Sequence, residues 1–377
     1  MTDVTFEQSR WSLEDLLPAT EGPELDRILV EMEAAVSALE ASREQLSPDI
    51  TTADFGRLLV LVEQIASLSQ RLGAYGYLWY AEDTQDQDAL AFRGRMEKLL
   101  TETQNRTLFF TLWWKKLEDE PAQRLLAVSG DAAYYLESLR RFKPHTLSEA
   151  EEKVINLKDI NGADALVTVY QMITNAFTYQ VEIDGEVKEL NRAELVVYAR
   201  DPRPEVRAAI YQELYRVFGE EGTVLGQIYQ YVVRDWASEN LALRDFTSPI
   251  SVRNLANDIP GPVVNTLLEV CRQNAPIFQR YFRLKAGWLG LEKLRRYDIY
   301  APLGTSDKTY PFDQAAGMVL DSLHDFAPRL ADQARRVFAD QHLDSEIRPR
   351  KDTGAFCAGI LPGVAPWVLV NYNGKIS

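Results

Sequence analysis

The chain has 377 residues, 46% of them apolar, with 41 Lys and Arg against 56 Asp and Glu and a net charge of −15. That apolar content excludes global disorder, and the length asks for two or three sub-domains rather than one small core. The negative field argues against nucleic acid and anionic membrane as partners. Lys115-Lys116 and Arg140-Arg141-Phe142-Lys143 lie beside acidic stretches and read as solvated faces. The sequence opens MTDVTFEQSRW, without the basic-then-apolar order of a signal peptide. The longest apolar run, Ile360 to Val370, is broken by Gly363 and two prolines and is too short for a membrane span. Cys271 and Cys357 make no disulfide framework; each is expected in a small buried apolar role, and the protein is expected in the cytoplasm.

In PELDRILVEMEAAVSALE, Leu25, Ile28, Leu29, Met32, Val36 and Leu39 recur at helical spacing and predict an amphipathic helix. Ser47-Pro48-Asp49 punctuates the chain after it. Phe55, Leu58, Leu59, Val62, Ile65 and Leu72 predict a second long helix, and DTQDQD at 83–88 a turn. Phe92, Met96, Leu99, Leu100, Phe109, Phe110, Trp113 and Trp114 predict a third. Long helices joined by short polar turns make an antiparallel bundle. Ser148 followed by Glu151 has the pattern of a capping box.

The period then changes. Phe177, Tyr179, Val181 and Ile183 alternate with polar residues and Asp184-Gly185 follows, which predicts a β-hairpin. Val206, Ile210, Leu214 and Val217 restore the helical period, continued by Leu225, Ile228, Val232 and Trp236. Pro260 and Pro262 suit the start of a helix from about Val263 to Leu289. RRYDIYAPLG reads as a short strand, and the segment from Phe312 as helix interrupted near Pro328. GAFCAGILPGVAPWVLVNY reads as two apolar strands about a Gly/Pro turn. The expected fold class is mainly α: a bundle-like multi-helix shell with small β elements near 177–190 and 296–372.

Motifs for chemistry are sparse. His145, His324 and His342 are far apart, and none has a partner at metal-ligand spacing. His342, Asp344 and Glu346 alternate, so a strand could place them on one face, but a solvated polar connection is the preferred reading. There is no serine-hydrolase elbow, dinucleotide fingerprint or Walker loop. Asp352-Thr353-Gly354 is the tripeptide of aspartic peptidases, which need two copies. Here it occurs once, after Arg348-Pro349-Arg350-Lys351, and reads as coincidence. Composition, period and spacing identify no site.

Seven segments are more telling together. They are WSLEDLLP from Trp11, YGYLWYAEDTQD from Tyr75, RRFKPHTLSEAEEKV from Arg140, ITNAFTY with the IDG turn, YARDPRPEVRAAIYQEL, LRRYDIYAPL from Leu294, and RPRKDTGAFC with PWVLVNY. In this order they resemble the oligoendopeptidase F family of zinc metallopeptidases, relatives of thimet oligopeptidase. The resemblance implies an intracellular enzyme that hydrolyses oligopeptides. It divides the chain into a helical bundle at 1–120, a helical region with a hairpin insertion at 121–200, and the first part of a catalytic domain at 201–377. In the family, a strand like PWVLVNY leads into a helix carrying HExxH, whose histidines hold zinc and whose glutamate is the general base. These 377 residues contain no His-Glu pair. No catalytic or metal residue is therefore carried over. The chain is expected to stop before the zinc motif, to hold no zinc and to be inactive alone, with an oligopeptide and a C-terminal half of the catalytic domain as partners. GAFC matches the family's sheet beside the peptide channel, so Gly354, Ala355, Phe356 and Cys357 are the expected substrate-binding residues. Packing beneath the sheet is the preferred alternative for Phe356 and Cys357; for Gly354 and Ala355 the two readings stand level. A competing function, from another class, is a non-catalytic helical protein that binds peptides or proteins.

Overall fold

The structure, a computed structural model, describes residues 6–304 and 308–374; the first five residues of the MTDVTFEQSRW opening, 305–307 and 375–377 lie outside the described residues. Helices α1 (Pro23–Ala41), α2 (Thr52–Glu82) and α3 (Gln87–Lys116) build the first core. Leu25, Ile28, Met32, Val36 and Leu39 meet Phe55, Leu58 and Leu72 of α2 and Phe92, Met96, Phe109 and Phe110 of α3. The turn between α2 and α3 takes residues 83–86 of the polar 83–88 segment, because the Asp86 carboxylate accepts the free N–H groups of Asp88 and Ala89 and starts α3 at Gln87. Helices α4 (Asp119–Leu126) and α5 (Ala133–Arg141) close one end, where buried Trp114 donates its indole N–H to Leu136 O at 2.8 Å.

Ser148 and Glu151 form the capping box that opens α6 (Glu149–Asn161), and α7 (Ala163–Asn175) follows. Strands β1 (Tyr179–Ile183) and β2 (Glu186–Leu190) pair through a turn in which Asp184 and Gly185 both take positive φ, 58° and 81°. That is the backbone a two-residue hairpin turn demands. Tyr179, Val181 and Ile183 of β1 point inward onto Leu195 of α8 (Arg192–Tyr198) and onto Val206, Ile210 and Val217 of α9 (Pro204–Glu220), making a second core. Helix α10 (Gly222–Ala237) buries Leu225 and Ile228 but leaves Trp236 exposed, and runs into a π-helical turn, Ser238–Leu243. Arg244, just beyond, forks onto Glu152 with two bonds of 2.8 Å, and its carbonyl lies 2.7 Å from His145 Nδ1.

Helix α11 (Pro249–Ala256) precedes α12 (Gly261–Trp288), which starts at the two prolines as expected. RRYDIYAPLG forms no strand. Arg296–Asp298 is a 3₁₀ turn. Its alternating Tyr297 and Ile299 imitate a strand, but the Asp298 carboxylate curls back to the Arg295 N–H at 3.1 Å and decides the conformation. Helices α13 (Phe312–Phe326) and α14 (Pro328–Ala339) are separated at Ala327, whose φ of −158° precedes the proline. Last come β3 (Leu343–Asp344), β4 (Phe356–Ala358) and β5 (Trp367–Leu369), in the order β3-β5-β4. Among the described residues no helix is long and apolar enough to cross a membrane.

One ionisable group of this frame gives a pH prediction. Burial, with Glu239, Asp235 and Asp164 nearby, pushes the Asp159 carboxyl up to about 6. The unfolded chain titrates this carboxyl at about 3.9. The folded state thus holds the proton more tightly, and this contribution to stability is full below pH about 4 and lost as pH rises through about 6. Asp159→Asn is expected to flatten that decline and to raise stability at neutral pH. Denaturant melts across this range check it; an unchanged pH slope would refute it.

Candidate functional site

The small C-terminal sheet has one covered edge and one open edge. In the middle strand β5, Val368 and Val370 donate their N–H groups to His342 O and Asp344 O, each at 2.8 Å. Successive residues of a strand turn their backbone groups to opposite neighbours. Trp367 and Leu369 therefore face β4, where they pair with Ala358 and Phe356. Cys357, between those two, presents its N–H and C=O away from the sheet. No strand among the described residues pairs with β4 on that side. The β3 edge is different: Ser345 N–H donates to Ser9 O at 2.9 Å and Ser12 N–H to Gln341 O at 2.7 Å, so the N-terminal segment covers it.

The side chains alternate accordingly. Phe356 tucks onto Trp11 and Tyr77, with ring centroids 6.0 and 5.8 Å away, and Ala358 joins the same apolar layer beneath Trp367 and Leu369. Cys357 points to the other face and is exposed. The buried role expected of it is thus corrected: alternation gives the buried face to its neighbours. Cys271 is exposed too, on α12, which buries only Lys285 and Ala286. Gly354 and Ala355 are exposed at the entry to β4. Gly354 has φ +87°, a conformation that requires glycine, and Asn371 Nδ2 holds the turn by donating to Gly354 O at 3.0 Å and Asp352 O at 3.2 Å.

A buried ion cluster fixes the approach to β4. The Lys351 ammonium is fully buried and donates to the Asp344 carboxylate at 2.7 Å, Glu346 O at 2.7 Å, Val370 O at 2.8 Å and Asp344 O at 3.2 Å. Arg348 forks onto the same carboxylate at 2.6 and 2.9 Å. Burial lowers the Lys351 pKa, and the bond to Asp344 opposes that shift. The next residues are lashed to the end of α2. Arg350 O accepts from both the N–H and the hydroxyl of Thr84 at 2.9 Å, and Asp352 N–H donates to Ala81 O at 2.9 Å. Burial raises the Asp352 carboxyl above the usual range, as it does Glu82, which accepts the Trp11 indole N–H at 2.6 Å. This construction can hold an extended peptide by main-chain bonds to the open edge.

The alternating trio His342, Asp344 and Glu346 does not converge. His342 is buried with its ring 3.8 Å from Trp367 and Nδ1 2.9 Å from Ala365 O, while Asp344 is held by Lys351 and Arg348. The solvated connection expected there is instead buried at these two positions, because the strand turns them under the sheet. His145 stacks on Phe246 at 3.5 Å, and His324 ends α13. Among the described residues, no three His, Cys, Asp or Glu side chains gather to hold a metal. The donors among the described residues do not fit zinc. Sequence reasoning missed Lys351 and Arg348; their only trace was the basic run shortly after Asp344.

Two family models match the chain: Oligopeptidase F over residues 113–179 and Peptidase family M3 over residues 197–377. Group B oligopeptidase PepB of Streptococcus agalactiae is 26% identical over 316 residues, which cover 80% of this chain and 51% of that protein. An oligoendopeptidase F homolog of Borreliella burgdorferi is 24% identical over 315 residues, 81% of this chain and 52% of the other. The crystal structure of oligoendopeptidase-F from Enterococcus faecium superimposes with a TM-score of 0.65 at 20% identity, covering 84% of this chain and 66% of that one. PZ peptidase A with an inhibitor gives a TM-score of 0.68 at 14% identity, covering 94% and 60%. The chain spans about half the length of the curated relatives it matches. With the helical shell, the small sheet and the matched sequence in agreement, the chain belongs to peptidase family M3, among the oligopeptidase F proteins.

Proposed function

We propose that the whole protein is a cytoplasmic zinc endopeptidase that hydrolyses oligopeptides, and that these 377 residues form a wall of its peptide channel. The carrying observation is the open edge of β4, where Cys357 offers a backbone donor and acceptor that no strand among the described residues uses. Ala355, two residues earlier, stands at the same phase. Gly354 supplies the turn and Phe356 anchors the strand from beneath. The zinc ligands and general base belong to a further C-terminal part of the catalytic domain, which packs against this chain. Alone, these residues bind peptide and do not cleave it.

Cys357→Pro tests the edge. Proline removes the outward N–H but no bond of the β4–β5 pair, which an edge strand tolerates. Binding of a fluorescent uncleavable peptide is expected to weaken by about ten-fold, the effect of one lost hydrogen bond. Cys357→Ser should bind as the parent does. Equal binding by the proline and serine variants would sink the proposal, and chelator-sensitive cleavage by the 377 residues alone would sink its division of labour. Peptide binding without cleavage, even with the C-terminal part and zinc added, would favour a non-catalytic binding protein.

A further inference from the structure

A cleft of about 460 Å³ lies between α8, α9 and the turn at 295–300, and no residue of the C-terminal sheet lines it. Its size is that of a small-ligand or short-peptide site. The lining includes Arg192, Arg200, Arg207 and Arg296 and no Asp or Glu, in a chain with 56 acidic residues. Arg207 is buried and bonded to Asp201 O, Pro202 O and Asp298. The other three guanidinium groups make no ion pair or hydrogen bond among the described residues. Nearby arginines behave differently: Arg203 pairs with Asp201 and Asp184, and Arg216 with Glu213 and Glu220.

The rest of the lining is apolar and aromatic. Buried Leu195 and Ile210 form the floor. Tyr211 is the centre of an aromatic wall, 4.6 Å from Tyr215 and 5.8 Å from Tyr297 between centroids. A phosphate site would draw on free backbone N–H groups. Here, apart from Arg192 at the start of α8, the α8 and α9 lining residues carry N–H groups already bonded within their helices; Leu195 N–H, for one, donates to Asn191 O at 2.9 Å. Guanidinium groups above an apolar floor suit a carboxylate attached to an aliphatic or aromatic side chain.

We propose that this cleft binds the carboxyl-terminal end of an oligopeptide. The last side chain lies on Leu195 and Ile210 against the tyrosines, and Arg192, Arg200 and Arg296 receive the free carboxylate. The proposal rests on the peptide-binding reading above and adds a second contact that favours peptides with a free, apolar C-terminus.

The test is calorimetry of the 377-residue chain with Ala-Ala-Ala-Phe as the free acid and as its C-terminal amide. The acid is expected to bind about ten-fold more tightly, the effect of one charge-assisted hydrogen bond. Arg296→Gln and Arg200→Gln should each remove most of that difference, while Arg216→Gln keeps it. Arg200 makes no side-chain hydrogen bond or ion pair among the described residues, and Arg296 only lies over the exposed Tyr300 ring at 5.8 Å, so the melting curves of these two variants should change little. Equal binding of acid and amide, or a preference that survives both variants, overturns the proposal. So does tighter binding of ATP or inorganic phosphate that depends on Arg296. Cys357→Pro separates the two readings: if it leaves all peptide binding unchanged while the acid preference persists, the strand-edge reading fails and the cleft stands.

Discussion

Replacing Lys351 by methionine is expected to lower the local stability of the C-terminal sheet by about 3–5 kcal/mol, the effect of breaking a buried ion pair from one side. Methionine keeps the stem's packing and removes only the ammonium. That group serves four acceptors, three of them main-chain carbonyls on either side of the 344–351 loop. Arg348 stays on Asp344, but Glu346 O and Val370 O lose the donor that joins loop to strand. The consequence extends to the proposed peptide edge, since this loop leads directly to Gly354 and β4. Hydrogen exchange at Val368 and Val370 should quicken while the α1–α3 core keeps its protection, because these valines pack with Val337, Leu343 and Ala365, apart from that core. Asp344→Asn in the same background should recover part of the loss, as it removes the charge left short of a partner. A change below about 1 kcal/mol would mean that the carbonyls find other donors and that the cluster does not hold the edge.

The contrast between what the sequence showed and what it hid follows from the range of the interactions. Leu25, Ile28, Met32, Val36 and Leu39 lie on one buried stripe because a helix repeats every few residues, and any such stripe is visible locally. Asp184-Gly185 was equally local, since few other pairs accept two positive φ values in succession. The turn at 296–298 was misread because the determinant of its shape is a side chain, Asp298, that reaches back to its own loop and across to Arg207, 91 positions earlier. The site divides the same way. GAFC was visible through family resemblance, but the open edge depends on which side of β5 is taken by His342 and Asp344, and the covered edge on a segment more than 300 positions away in the chain. Neither fact has a signature in the residues of β4.

Arg207→Met is expected to be as damaging as the loss of Lys351, again by about 3–5 kcal/mol, and for a related reason. The Arg207 guanidinium and the Asp298 carboxylate are both buried and lie 2.8 Å apart. Asp298 would retain Arg295, whose side chain is 48% exposed and so holds it less firmly. Asp201 O and Pro202 O would lose the bonds that Arg207 donates to them. Lysine should not rescue the variant, because one ammonium cannot reach three acceptors set out for a planar fork. The measurement is a denaturant melt, with hydrogen exchange at the amides of α9 and the 295–299 turn to report on the junction itself. The same variant separates two roles for arginine in this region. Arg207 holds the cleft together, so Arg207→Met should lose stability and free-acid peptide binding at once. Arg296 faces the cleft and touches only the exposed Tyr300 ring, so Arg296→Gln should lose the binding preference with its melt nearly unchanged. If Arg207→Met melts like the parent, the buried pair is not what joins α9 to the 295–299 turn, and the cleft owes its shape to the apolar floor of Leu195 and Ile210 instead.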